Sequence, residues 1–383
     1  MAEAGDWLRH GSHPTGARGQ ATRPGIGRAP RCHKMKEPRE PMKVALDATY
    51  SLGGHLSGVG IYSRSLLLGL ARTHPEVRFE FWYRAQRYLR CWSEVLPSNV
   101  RRRLLINAFG PGTAELFHGL NQRLPSTRVR RAVVTFHDLF VLSGEYSTPE
   151  FRARFAAQAR EAAARADRLI AVSEYTRSQL TSLLGVEPSR IQVIHHGIRK
   201  LALQPVPREK VVLTVGAVQK RKNLARLVEA FEALSSEWQL VLAGSTGYGA
   251  SEILARVEAS PARGRIRVTG YLTPEELARW YSRASIFAFP SLDEGFGMPV
   301  LEAMEAGIPV ITSNRAALPE VAGDAALLVE PERTEALADA LCSLAESESR
   351  RHQLQQQGSA RAKFFTWEKA VRETWDLYRD VLT

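Results

Sequence analysis

Two carboxylates, Glu294 and Glu302, stand in the stretch Pro290-Ser-Leu-Asp-Glu294-Gly295-Phe296-Gly297-Met-Pro299-Val-Leu-Glu302 of this chain. The apolar run before them, Ile286-Phe-Ala-Phe289, reads as a buried strand. Gly295 and Gly297 let the backbone turn sharply and come close to a ligand. Pro299 suits a helix start and Gly307 its stop. Glu294 is therefore expected on a loop at the C-terminal end of a strand, with Glu302 about one turn into the helix and within reach of the same crevice. The free N–H groups of a helix start suit phosphate. A carboxylate instead accepts hydrogen bonds from sugar hydroxyls. The pair predicts a ligand that carries both hydroxyls and phosphate. Read alone, Glu302 also fits a solvated helix face.

Three cations, Lys220-Arg221-Lys222, follow Gly216-Ala-Val-Gln between a strand and a helix. Arginine offers a planar fork and lysine a mobile point charge, and both suit a diphosphate. The bland alternative is a solvated basic turn. His137 closes the apolar run Ala132-Val-Val-Thr-Phe136, with Asp138 beside it as a turn residue or an orienter of the imidazole. The glycine loop Gly53-Gly54-His-Leu-Ser-Gly58-Val-Gly60 lies between a first strand and a helical stretch. It lacks the full dinucleotide pattern, because Ser63 stands where a third glycine is needed. His195 and His196 are adjacent and point to opposite sides of an extended segment. No Asp, Glu or Cys cluster accompanies them, so no metal is expected.

The elements that must position these residues alternate between strand and helix in both halves of the chain. Strands are expected at Met42–Ala48, Arg131–Phe136, Arg168–Val172, Ile191–Ile194, Val211–Val215, Trp238–Ala243, Ile266–Thr269, Val310–Thr312 and Ala326–Val329. Helices are expected at Phe151–Ala166, Asn223–Leu234, Ser251–Val257, Pro274–Ala284 and Trp367–Leu382. Such alternation implies an α/β protein of two doubly wound parallel sheets. Ligands of such sheets bind at the C-terminal strand ends, which places the site between the halves.

Composition sets wider bounds. The 383 residues suffice for two domains with separate cores. No apolar run approaches the ~18 residues that span a bilayer. The three cysteines, Cys32, Cys91 and Cys342, have no metal-like spacing. A reducing cytoplasmic setting fits this usage. The formal charge is +12, of which residues 1–41 supply +4 through eight Lys/Arg against four Asp/Glu. Those residues are rich in Gly, Pro and Arg and are expected to be disordered. Met42 is expected as the natural start, with the leader a gene-calling extension.

The glutamate segment resembles the signature of glycosyltransferase family 4, the retaining nucleotide-sugar enzymes of GT-B fold, and the likeness runs from about Lys43 to Leu382. It implies a GT-B fold with two Rossmann-like domains facing across a cleft. The expected divisions are an acceptor-side domain over 42–198, a linker over 199–210, a nucleotide-sugar domain over 211–363 and a helix over 364–383 that crosses back. By resemblance Glu294 contacts the transferred sugar, Glu302 the ribose, Lys222 and Arg221 the leaving diphosphate, and His137 the donor sugar. Gly295, Phe296 and Gly297 form the donor turn. Gly58 and Gly60 face the donor phosphate, and Tyr271 marks the nucleobase region. Ala217 stands where the family has an arginine, and Arg221 takes that task.

The resemblance also implies a hexosyltransferase that needs no cofactor or metal, with a nucleotide diphosphate sugar as donor. Mannose is the first expectation, and polysaccharide or lipopolysaccharide assembly the setting. The acceptor is expected to be a glycan or lipid-linked glycan. The arginine-rich helix Phe151–Ala166 could rest on an anionic membrane. No nucleic-acid partner is expected, since no basic patch is interleaved with aromatics. The alternatives are a GT-B nucleotide-sugar epimerase or phosphorylase, and a basic binding module without turnover.

Overall fold

The computed structural model describes residues 41–54, 56–106 and 110–383. The expected leader over 1–41 lies, Pro41 apart, outside the described residues, and so does the question of what precedes Met42. Pro41–Thr383 forms one packed unit.

In the first half β1 (Lys43–Asp47) runs through the glycine loop into α1 (Gly58–Thr73). β2 (Arg78–Arg84) leads to the short α2 (Ala85–Tyr88) and a 3₁₀ helix at Leu89–Ser93. β3 (Val100–Leu105), β4 (Leu116–Gly119) and β5 (Ala132–Phe136) follow. Next come α3 (Phe140–Ser143), α4 (Pro149–Arg165), β6 (Arg168–Ala171), α5 (Glu174–Leu184) and β7 (Ile191–Val193). α4 starts earlier than the apolar pattern indicates. Thr148 caps it by accepting from the Phe151 amide, and Pro149 takes its first turn.

The second half begins with β8 (Glu209–Val215), α6 (Leu224–Phe231), β9 (Gln239–Ala243) and α7 (Ala250–Glu258). It continues with β10 (Ile266–Gly270), α8 (Pro274–Arg283), β11 (Ala284–Phe289) and α9 (Met298–Glu305). β12 (Val310–Ser313), α10 (Leu318–Ala322) and β13 (Ala326–Val329) complete the sheet, followed by α11 (Thr334–Glu346), α12 (Glu348–Ala362) and α13 (Trp367–Leu382).

All strand pairs are parallel. The sheets are ordered β3-β2-β1-β4-β5-β6-β7 and β10-β9-β8-β11-β12-β13. In each, the order reverses beside the first strand, and that switch point opens a crevice at the C-terminal strand ends. Strands of the second sheet are apolar on both faces. In β11, Phe287 and Phe289 pack into one core while Ile286 and Ala288 pack into the other. Burial under helices on both sides explains such continuous apolar runs. α13 packs on the first sheet's core through Ala370, Val371, Leu377 and Tyr378. Its approach to α1 is close, because a Cβ on Gly69 would lie 2.4 Å from Val371 Cγ2.

Candidate functional site

A cavity of about 670 Å³ lies between the two sheets. Its second-domain wall comes from turns that follow β8, β9, β10 and β11, with β8 and β11 at the switch point. Arg221 and Lys222 sit on a 3₁₀ turn ended by Asn223, which adopts a left-handed conformation at φ 59°. The Leu292 amide donates to the Arg221 carbonyl at 2.9 Å, tying this turn to the glutamate loop.

Glu294 is buried with both cations on one oxygen. Arg221 Nη1 lies 2.8 Å and Lys222 Nζ 2.5 Å from Glu294 Oε1. Burial alone would push this carboxyl up, but the two cations outweigh it and hold it at about 2. Burial pushes the Lys222 ammonium down to about 8, with Glu294 opposing. All three groups are therefore charged at neutral pH. Phe289 lies 4.3 Å under the ammonium, and Phe140 of the opposite domain lies 4.2 Å from the Arg221 guanidinium.

Glu302 is also buried, yet its partners differ. Arg199 Nη2 lies 2.9 Å from Oε1, and the Tyr281 hydroxyl donates to Oε2 at 2.9 Å. Burial raises its carboxyl, with Arg199 opposing. Gly297 caps α9 at φ 98°, a conformation that favours glycine. Gly295 is needed for a different reason, since a Cβ there would lie 1.8 Å from the His137 carbonyl oxygen.

The facing wall carries His137. Its Nε2 donates to the Leu120 carbonyl at 2.8 Å, and Nδ1 has no partner. Burial holds the imidazole at about 4, so it is neutral and Nδ1 is an open acceptor. Asp138 beside it is pushed up to about 6, chiefly by burial, with Arg221 opposing.

Most of the residues singled out by sequence meet here: His137, Arg221, Lys222, Glu294, Gly295, Phe296, Gly297, Glu302, Tyr271 and Gly58 all line the cavity. Gly60 does not. It lies in the first turn of α1 and faces the chain behind it, where a Cβ would lie 2.9 Å from the Tyr50 carbonyl oxygen. The two histidines diverge: His195 Nε2 lies 2.7 Å from Glu320 Oε1, while His196 lines the cavity with both ring nitrogens unpartnered. Sequence reading missed Arg199, which lies in a stretch without periodicity, and Arg64, which looks like any exposed helix arginine.

The site is assembled across the domains. Ser173 Oγ donates to the Gly295 carbonyl at 2.7 Å, and Thr176 Oγ1 does so at 3.2 Å. Glu320 accepts from the Glu174 amide at 2.9 Å, so a second-domain carboxylate sits on the start of α5. Hydrogen bonds to charged groups contribute about 1.5–3 kcal/mol each. Glu320→Ala is accordingly expected to speed amide hydrogen exchange at Glu174 and Tyr175 at least about tenfold. Unchanged exchange there would show that the contact does not restrain the interface.

Comparison with known proteins decides the family. The profile "Glycosyl transferases group 1" matches residues 200–361, and "Glycosyltransferase Family 4" matches residues 104–200. O-antigen chain mannosyltransferase B of Escherichia coli is 32% identical over 282 residues, which is 69% of this chain and 74% of that protein. The chain belongs to glycosyltransferase family 4. As a family 4 glycosyltransferase it has GT-B neighbours among solved structures. Sucrose-phosphate synthase from Thermosynechococcus elongatus superposes with a TM-score of 0.72 at 22% identity, over 88% of this chain and 98% of that one. HepE of Anabaena, in complex with UDP and glucose, gives a TM-score of 0.67 at 16% identity, over 88% of this chain and 99% of that one. Among the described residues, no helix of this glycosyltransferase is long and apolar enough to cross a membrane.

Proposed function

We propose that this glycosyltransferase moves a sugar, mannose first, from a nucleotide diphosphate donor to a glycan or lipid-linked glycan, with retention at the anomeric carbon. The observation that carries the reading is the buried Arg221–Glu294–Lys222 cluster opposite the open acceptor on His137. Departure of the diphosphate is the difficult step. Lys222, Arg221 and the N-terminus of α9 would stabilise its developing charge. Glu294 and His137 Nδ1 would hold sugar hydroxyls and so position the anomeric carbon. Glu302 would hold the ribose, with Tyr281 and Arg199 fixing its carboxylate. The reaction asks for no metal or cofactor in this reading. The mannosyltransferase relative favours mannose, and a protein of the same fold holding UDP and glucose is in keeping with a nucleotide donor.

Melting in the presence of GDP, UDP, ADP and their sugars tests the donor site. A ligand at a hundredfold excess over its Kd stabilises the native state by about 2.7 kcal/mol. One nucleotide class is expected to raise the melting temperature, with the rise lost in Glu302→Ala. No rise with any nucleotide would overturn the donor assignment. Release of nucleotide diphosphate only when acceptor is present separates transfer from simple binding and from epimerisation.

A further inference from the structure

We propose that the ridge Leu89–Val95 docks this protein onto an anionic phospholipid surface at the mouth of the cleft. Leu89, Trp92 and Val95 are 84%, 64% and 94% exposed, a concentration of large apolar side chains within one short segment. The segment is a 3₁₀ helix over Leu89–Ser93, in which residues three apart align on one face. Leu89 and Trp92 therefore share a face, and Val95 stands two residues beyond the end of the helix.

The ridge is held in place from below. Arg102 Nε donates to the Cys91 carbonyl at 3.0 Å, and its guanidinium lies 5.1 Å from the centre of the Trp92 ring. Cys91 is buried and anchors the turn in the first-domain core. Trp92 is thus presented by a built support rather than left as a loose side chain.

Charge selects the occupant. Arg87 in the preceding α2 and Arg90 on the ridge are exposed and have no ion-pair partner among the described residues. Apolar side chains with tryptophan among them, flanked by free arginines, match the boundary between lipid headgroups and acyl chains. Exposed apolar groups with such a basic flank suit a bilayer better than an acidic protein. α4 offers arginines too, but only Phe151 is exposed beside them, and Arg165 is engaged by Glu161 at 2.7 Å.

Position adds a use. The ridge follows β2 at the cleft end of the sheet. Arg64 lines the cavity and lies 2.8 Å from Glu94, which stands between Trp92 and Val95. A bilayer on the ridge would thus lie next to the cleft. That this side admits the acceptor rests on the proposed function, whereas lipid binding does not.

Vesicles of phosphatidylglycerol and phosphatidylcholine in equal parts, and of phosphatidylcholine alone, test the proposal by co-sedimentation. The wild type is expected on the anionic vesicles, with binding weakened by salt. Leu89→Ser/Trp92→Ser/Val95→Ser is expected to lose at least tenfold. Arg87→Gln/Arg90→Gln is expected to lose about twenty-fivefold, from about fivefold per arginine near the surface. Leu89→Ser/Val95→Ser leaves Trp92 on Arg102 and serves if the triple variant melts early. Sedimentation of the wild type with neither vesicle, or of the folded ridge variants as strongly as the wild type, overturns the proposal. Ridge variants that keep vesicle binding but change the oligomeric state would assign the ridge to a protein interface instead. Nucleotide-induced melting shifts, measured separately, tell failure of this docking from failure of the donor site.

Discussion

Glu294→Gln is expected to lower kcat/KM for transfer by about a thousandfold, as for loss of one preorganised polar group at a reacting centre. The amide keeps the shape and loses the charge. Arg221 and Lys222 then remain close together and buried with no anion between them. Removing one partner of a buried ion pair costs about 3–5 kcal/mol. The linkage argument gives a similar figure independently. The Glu294 carboxyl sits at about 2 in the folded protein against 4.5 ordinarily, a difference equivalent to about 3 kcal/mol.

The sign follows from proton uptake. Between 4.5 and 2 the unfolded chain binds the proton more readily, so stability falls as pH drops through that window. The contribution is fully present above 4.5. Glu294→Gln lacks this slope, so the difference in stability between wild type and variant should shrink as pH falls from 5 towards 2. Denaturant titrations across that range measure it. A variant as stable as the wild type at neutral pH, or a difference independent of pH, would show that the cluster does not hold Glu294 ionised.

Much of this site is local in sequence and therefore readable. A strand, a glycine turn and a helix start occupy one continuous stretch from Ala284 to Glu305, and the cationic turn is equally compact. What was illegible depends on distance or on edges. Glu320 meets the Glu174 amide across 146 residues, and no periodicity announces such a pair. Arg199 reaches Glu302 from a segment without helix or strand. Gly60 looked like part of a ligand loop, whereas the neighbouring Tyr50 carbonyl explains it.

The unnamed strands β2 and β3 have a related cause. β3 reads Val-Arg-Arg-Arg-Leu-Leu and is the edge of its sheet. Arg103 there pairs with the buried Glu80 of β2 at 3.1 Å. Charges that neutralise each other across two strands erase the apolar alternation by which either strand would be recognised.

Lys222→Ala is expected to reduce kcat by about a hundredfold or more, with a smaller change in KM. The ammonium answers charge that grows as the diphosphate leaves, so its loss falls mainly on the transition state. Arg221 still neutralises Glu294, and the stability cost is smaller than for Glu294→Gln. Arginine should not restore the rate. The Lys222 side chain threads past Gly216, where even an added Cβ would lie 3.2 Å from Lys222 Cε, and its ammonium rests on Phe289. A branched guanidinium has no equivalent room.

The pH profile distinguishes this role from mere support of the fold. Burial holds the Lys222 ammonium at about 8, well below the ordinary 10.5. Above that pH the amine is neutral and cannot stabilise the leaving group, so kcat/KM of the wild type should fall as pH rises through about 8. Lys222→Arg should be slower but free of that alkaline limb, because guanidinium stays charged. A limb that persists unchanged in Lys222→Arg would assign it to another group and remove Lys222 from the charge that meets the diphosphate.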